Sequence, residues 1–316
     1  MPRPTPSQIN KTIAQALSRL ESAHERAVLL NYVAALKEIR NMMSVVFEKY
    51  ADDAGQLTYA EMTRYNRLNS LEKQISGIML DTYKLNGKEV KKLAAHVYEE
   101  SYFHQAWGIN QQAGIDINWG LLNVKAIEAA VANPLKFIAL EGMTKNGIVG
   151  IRRTVTQGLI QGRSYPKMAR DIKKWFDIDT RKFVTIVRTE GQRAQVIGQQ
   201  DLYTEAEDEG IEMAWIWDAT LDASTRPAHA VLDGIPAETD GDGGHYWDTE
   251  VGQVSGPLQS GYAEFDINCR CRVRGEIADY APKLRRIRDE GIQPYVTFTD
   301  WAEPKGWTRE KGWPKK

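Results

Sequence analysis

Three residues in the second half of the chain have the types and spacing to do chemistry: His229, Cys269 and Cys271. The two cysteines are the only ones in 316 residues, and a single arginine separates them. On an extended backbone, residues i and i+2 point to the same side, so both thiols can approach one imidazole. Two thiolates and an imidazole supply three of the four ligands of a tetrahedral zinc site, and Asp233 or His245 is available as the fourth. A lone Cys-x-Cys is a weaker zinc signal than paired Cys-x-x-Cys knuckles. The same residues admit plain core packing, because buried cysteine behaves as a small apolar group and Val273 shares the face. They also admit a nucleophilic pair, in which His229 lowers a thiol pKa and Asp233 orients the ring. Neither a helix N-terminus nor an oxyanion hole accompanies the thiols, so no residue is assigned a catalytic role. No cofactor is required, and zinc is the one these residues could hold. Asp240, Asp242, Asp248 and Glu250 do not form a calcium loop. Counting from Asp240 puts His245 where glycine is required and Val251 where glutamate is required.

Charge is distributed unevenly. Residues 151–200 carry 11 Lys/Arg against 4 Asp/Glu, and residues 201–250 carry 1 against 14. Either the two segments neutralise each other or each faces its own partner. Arg152, Arg153, Arg163, Arg170, Lys173, Lys174, Arg181 and Lys182 could touch nucleic acid through phosphates or meet an acidic protein surface. With little aromatic interleaving beyond Trp175, any nucleic-acid contact should be non-specific and salt-sensitive. Trp301, Trp307 and Trp313 recur every six residues in a Lys-, Pro- and Gly-containing tail that cannot make a core alone, which suits docking against a partner. The apolar runs are shorter than the roughly 18–20 residues of a membrane span, and the first residues hold no apolar signal core. A soluble protein made in the cytoplasm, without a membrane partner, is expected.

The elements that must position these residues change character along the chain. Ser7 to Tyr50 has helical periodicity, with Leu36, Ile39, Met43, Val46 and Tyr50 on one face. At about 65 Å such a helix is either an extended arm or a hairpin with a break near Ser22–His24. Thr58 to Glu61 has the form of a capping box, followed by a helix buried through Leu68, Leu71, Ile75 and Ile78. Helical pattern continues over Lys88–Ala106 and Val124–Ala132, with a loop around Gly108–Gly120 between them. Gly162–Pro166 reads as a turn and helix start, ahead of one helix through Met168, Ile172 and Phe176 and another from about Asp179 through Phe183, Ile186, Val187 and Ile197. After Gly210 the period becomes two. Met213–Trp217 and Cys269–Arg274 read as strands, the latter with Cys269, Cys271 and Val273 on one face and three arginines on the other. Between them, Pro227 starts and Gly234 stops a short helix. The fold class is α+β: an extended, mainly α-helical N-terminal region followed by a small α+β domain with a few-stranded sheet. The divisions are residues 1–150 (helical, partner-binding), 151–210 (basic helical connector), 211–280 (α+β domain) and 281–316 (tail).

The order Gly162-Arg163-Ser164-Tyr165, Arg188-Thr189-Glu190, Trp217-Asp218-Ala219, Arg226 to His229, Leu232-Asp233-Gly234 and Asn268-Cys269-Arg270-Cys271 resembles the Mu F-like phage head morphogenesis family, over roughly residues 150–275. Two departures affect loop geometry. The proline often found before the terminal cysteine motif is absent from Gly261–Ile267, and Gly241–Gly244 enlarges the loop after Asp233. The resemblance implies a minor capsid protein present in few copies. It would lie near the portal inside the head and act in head assembly, DNA packaging or ejection. Its location would be the virion, after the host cytoplasm during assembly. Its partners would be the portal protein, capsid or scaffold proteins and, non-specifically, packaged DNA. The resemblance also implies that Arg188, Glu190, Trp217, Asp218 and Arg226 buttress the domain, with Arg188 or Glu190 in a semi-buried charge pair. Competing functions are a metal-dependent hydrolase or toxin-like effector built on His229, Cys269 and Cys271, and a host DNA-binding protein.

Overall fold

A computed structural model describes residues 6–113, 119, 122, 127–128, 131–132, 134–277, 284–287 and 291–294. It resolves into two compact units. One comprises Glu21–Leu93 and Asn133–Val187, the other Met1–Leu20, Ala94–Ala132 and Arg188–Lys316. A division at residue 150 therefore falls inside a helix rather than between elements.

The first unit is helical. Helix α1 (Pro6–Tyr50) is unbroken for 45 residues, so the hairpin alternative with a break near Ser22–His24 does not occur. Helices α2 (Tyr59–Thr63), α3 (Arg67–Ala113), α4 (Pro134–Ile160) and α5 (Tyr165–Asp208) follow. The N-cap half of the capping box forms, with the Glu61 amide donating to Thr58 Oγ1 at 3.2 Å, while the Glu61 carboxylate pairs with Arg64 and Arg67. Its helix nevertheless ends after five residues, because Tyr65 and Asn66 take left-handed backbone angles (φ 52° and 60°) before α3 begins. Burial recurs at Val28, Tyr32, Ala35, Ile39 and Met43 of α1, steps of three and four that place one stripe inward. The Tyr32 ring meets Tyr83, Phe176 and Phe183 edge-on at centroid distances of 6.3, 6.0 and 5.7 Å. Asp179 is buried in this core and accepts a hydrogen bond from the Tyr83 hydroxyl. The separate helix expected from about Asp179 is instead the middle of α5, 44 residues long. The loop expected from Gly108 likewise starts later, since α3 remains helical to Ala113.

The second unit holds the sheets. Strands β1 (Met213–Asp218) and β5 (Arg272–Ile277) pair antiparallel with Trp217 opposite Val273. Strands β2 (Glu238–Thr239), β3 (His245–Thr249) and β4 (Gly252–Val254) form an antiparallel meander. Short helices α6 (Pro227–Ala230) and α7 (Ala263–Asp266) lie in the connections. Strands β6 (Leu284–Ile287) and β7 (Gly291–Pro294) make a separate antiparallel pair. Gly210, with φ 85°, ends the helical part where the period changes. The core joins Tyr102 and Ala106 of α3 and Val196, Leu202 and Tyr203 of α5 to Trp215, Trp217, Trp247, Phe265 and Val273. Gly198 is required here: a Cβ on it would stand 2.6 Å from the Tyr98 carbonyl oxygen, so α3 and α5 touch backbone to backbone within this unit.

Candidate functional site

The site is built where α6 meets the segment leading into β5. Strand β1 is extended on its open side by the chain after α6: the Trp217 amide donates to the Ile235 carbonyl at 3.0 Å, and the Gly234 amide returns to the Trp217 carbonyl at 2.8 Å. Arg226 caps α6 in an extended conformation, Pro227 occupies its first turn, and Gly234 (φ 78°) turns the chain back. This fixes His229 in the interior, 2% exposed. On the other side, Asn268 takes a left-handed conformation (φ 58°), and its amide donates to Thr189 Oγ1 of α5 at 3.2 Å. That turn drives Cys269 and Cys271 inward. Both lie just before β5 rather than on it, although burial alternates as a strand would: Cys269, Cys271 and Val273 buried, Arg270 exposed, Arg272 and Arg274 half-buried.

The three side chains converge on one atom. His229 Nδ1 lies 3.3 Å from Cys269 Sγ and 3.4 Å from Cys271 Sγ. All three are buried, with their ligand atoms within 4.8 Å of one another. The imidazole packs against Phe265 at 4.1 Å between centroids and edge-on to Trp217 at 6.2 Å. Its Nε2 is buried without a hydrogen-bond partner among the described residues. The two thiols are coupled through a hydrogen bond. A hydrogen bond from Cys271, supported by His229, holds Cys269 well below an ordinary thiol pKa. The same coupling, with burial, pushes Cys271 above it.

A small pocket of about 10 Å³, open to solvent, lies over the three residues and is otherwise lined by Thr220, Ser224, Thr225, Arg226, Asn268 and Arg270. Its walls are tied. Arg270 grips Asp222 through two nitrogens at 2.5 and 2.7 Å. Arg226 donates to the Ile267 carbonyl at 2.5 Å, and Thr220 Oγ1 to the Arg270 carbonyl at 3.0 Å.

Other expected site residues lie elsewhere. Asp233 is fully buried, but its carboxylate accepts from the Ala219 amide at 3.0 Å, which braces the end of β1. His245 stacks on Trp215 at 4.1 Å and sets Nε2 3.0 Å from Glu207. Neither joins the Cys–His cluster, because each has a local partner that holds it. Of the polar triplet, Arg188 is exposed and Glu190 is buried. Glu190 pairs with Arg193 at 3.3 Å, and that guanidinium also donates to the Val131 carbonyl. The semi-buried charge pair thus involves Arg193, which sequence reasoning passed over although its i, i+3 spacing from Glu190 was visible. Trp217 is fully buried, whereas Asp218 is half-buried 3.6 Å from Arg274. Thr189, Asp222 and Phe265 were also missed, since their roles come from chain-distant contacts.

The basic residues form no uniform stripe. Arg152 pairs with Glu72 (2.6 Å), Arg163 with Asp171 (2.8 Å), Lys173 with Asp177 (2.6 Å) and Lys174 with Asp171 (3.1 Å), all inside the first unit. Arg153, Arg170, Arg181 and Lys182 are exposed. Trp301, Trp307 and Trp313 lie outside the described residues.

Comparison with known proteins follows the same segment. Residues 149–274 match the family model described as Phage Mu protein F like protein. The chain is 28% identical over 305 residues to "Minor head protein GP7" of Bacillus phage SPP1, covering 94% of this chain and 95% of that protein. It is 27% identical over 307 residues to "NAD(+)--arginine ADP-ribosyltransferase EFV" of Enterococcus faecalis, covering 93% of this chain but 61% of that longer protein. No solved structure matches the chain. The match to the Phage Mu protein F like protein model encloses every motif of the ordered series from the Gly162 turn to Cys271.

Proposed function

We propose that this chain is a phage minor head protein. It acts in head morphogenesis as a component of the virion, binds the portal protein inside the head, and serves packaging or ejection of DNA. The observation that carries the proposal is the end-to-end match to the SPP1 minor head protein, which spans 94% of one chain and 95% of the other. A shared module alone would align over part of each. In this role the chain works by position and contact, without turning over a substrate. Capsid or scaffold proteins are further partners, and Arg153, Arg170, Arg181 and Lys182 make non-specific, salt-sensitive contacts with packaged DNA. The test is co-expression with a portal protein from the same genome, followed by native mass determination. A complex with a defined, low copy number per portal ring supports the proposal. A chain that stays apart from both portal and assembled heads sinks it.

A second reading is favoured by the relative named as an ADP-ribosyltransferase: the chain would be an effector enzyme. Incubation with NAD+ and an arginine-rich acceptor decides it. Nicotinamide release above the buffer rate supports the enzyme, and none supports the structural role.

A further inference from the structure

We propose that His229, Cys269 and Cys271 hold one zinc ion, with Nδ1 and the two sulfurs as protein ligands and a water from the overlying pocket as the fourth. The proposal stands on distances. Zinc bonds of about 2.3 Å to sulfur and about 2.05 Å to nitrogen at a tetrahedral angle place ligating S and N about 3.6 Å apart. The two sulfurs here lie 3.3 and 3.4 Å from Nδ1, within a few tenths of that edge, so an ion enters by a small outward relaxation. Both sulfurs address the same nitrogen. An imidazole nitrogen makes one hydrogen bond, by donating or accepting one proton, so two sulfurs at equal range are better matched to a shared cation than to a shared hydrogen.

Charge supports the assignment. Two thiolates balance a dication, so the buried site carries no net charge, and a thiolate and imidazole set is soft enough to select zinc over magnesium or calcium. The pocket over the three residues has room for about one water-sized body, which meets the needs of a fourth ligand. The ion joins positions 40 and 42 residues apart, the helix α6 and the entry to β5. It would do for this small unit what a disulfide does in a secreted protein, in a chain whose two thiols stand too close in sequence to staple anything between themselves.

The full chain, purified under reducing conditions and refolded with cobalt(II), tests this directly. Because the chain has two cysteines and no others, any thiolate-to-cobalt charge-transfer band must arise from this pair. We expect saturation at one cobalt per chain, displacement by zinc, and a higher Tm for the zinc form than for the chelator-treated form. The Cys271→Ser variant should lose about half the charge-transfer intensity, one of two thiolates being gone. Absence of the band in the wild-type chain at equimolar cobalt overturns the proposal, whether or not the variant folds. So does zinc retained in full by a folded Cys269→Ser/Cys271→Ser chain. Neither outcome depends on whether the portal complex forms.

Discussion

Replacing Glu190 by glutamine removes one charge from a buried pair and changes the side-chain shape little. The two partners are 5% and 10% exposed and 3.3 Å apart. At an effective dielectric of about 20 their attraction is roughly 5 kcal/mol before desolvation is counted. Removing one partner leaves the Arg193 guanidinium buried against a neutral amide and the Val131 carbonyl. The expected loss is about 3–5 kcal/mol. For a unit of about 150–250 residues, at roughly 2–4 °C per kcal/mol, this lowers Tm by about 6–20 °C. Tryptophan fluorescence reports the melt of this unit, because Trp215, Trp217 and Trp247 lie in its core. A Glu190→Gln chain that melts within about 1 °C of wild type would refute the reasoning.

Glycine-to-alanine changes should have opposite signs at two helical positions. Gly77→Ala, where a Cβ meets nothing within 4 Å, should stabilise by roughly 0.5–1 kcal/mol, while Gly198→Ala, where it meets a backbone oxygen at 2.6 Å, should cost about 1–3 kcal/mol in thermal melts. Burial raises the Asp179 pKa above its ordinary value of 3.8, so the native state holds that proton more tightly than the unfolded one. Its contribution to stability is therefore full below pH 3.8 and lost as pH rises through the raised native value. Urea melts across about pH 4 to 7 should show a smaller fall for Asp179→Asn than for wild type, and parallel curves would count against the assignment.

The Cys–His cluster was partly legible. Cys269 and Cys271 had to share a side if the local chain was extended, and Pro227 starts the helix that carries His229, which ends at Ala230 with turns following to Gly234. The remainder was not. Asp233 and His245 look like ligands by residue type, yet Asp233 is spent on the Ala219 amide and His245 on Glu207 and Trp215, partners 14 and 38 residues away in sequence for the two hydrogen bonds. The motif alone left open whether Arg188 or Glu190 enters a charge pair, and with which partner. The helical step from Glu190 puts Arg193 on the buried face.

By itself, then, the sequence determined the periods: helical stripes to Gly210, alternation after it, the small α+β unit at the end, and the order of motifs that marks residues 149–274 as Phage Mu protein F like. These follow from local sterics and side-chain spacing, which neighbours along the chain suffice to set. Only the tertiary structure decided that Cys269 and Cys271 precede β5 rather than lie on it, through a left-handed Asn268 anchored on Thr189. It also decided which imidazole meets both sulfurs and which arginine shares the burial of Glu190. Those pairings depend on segments brought together by closing loops tens of residues long, and the spacing of residue types does not encode which of several suitable side chains arrives there.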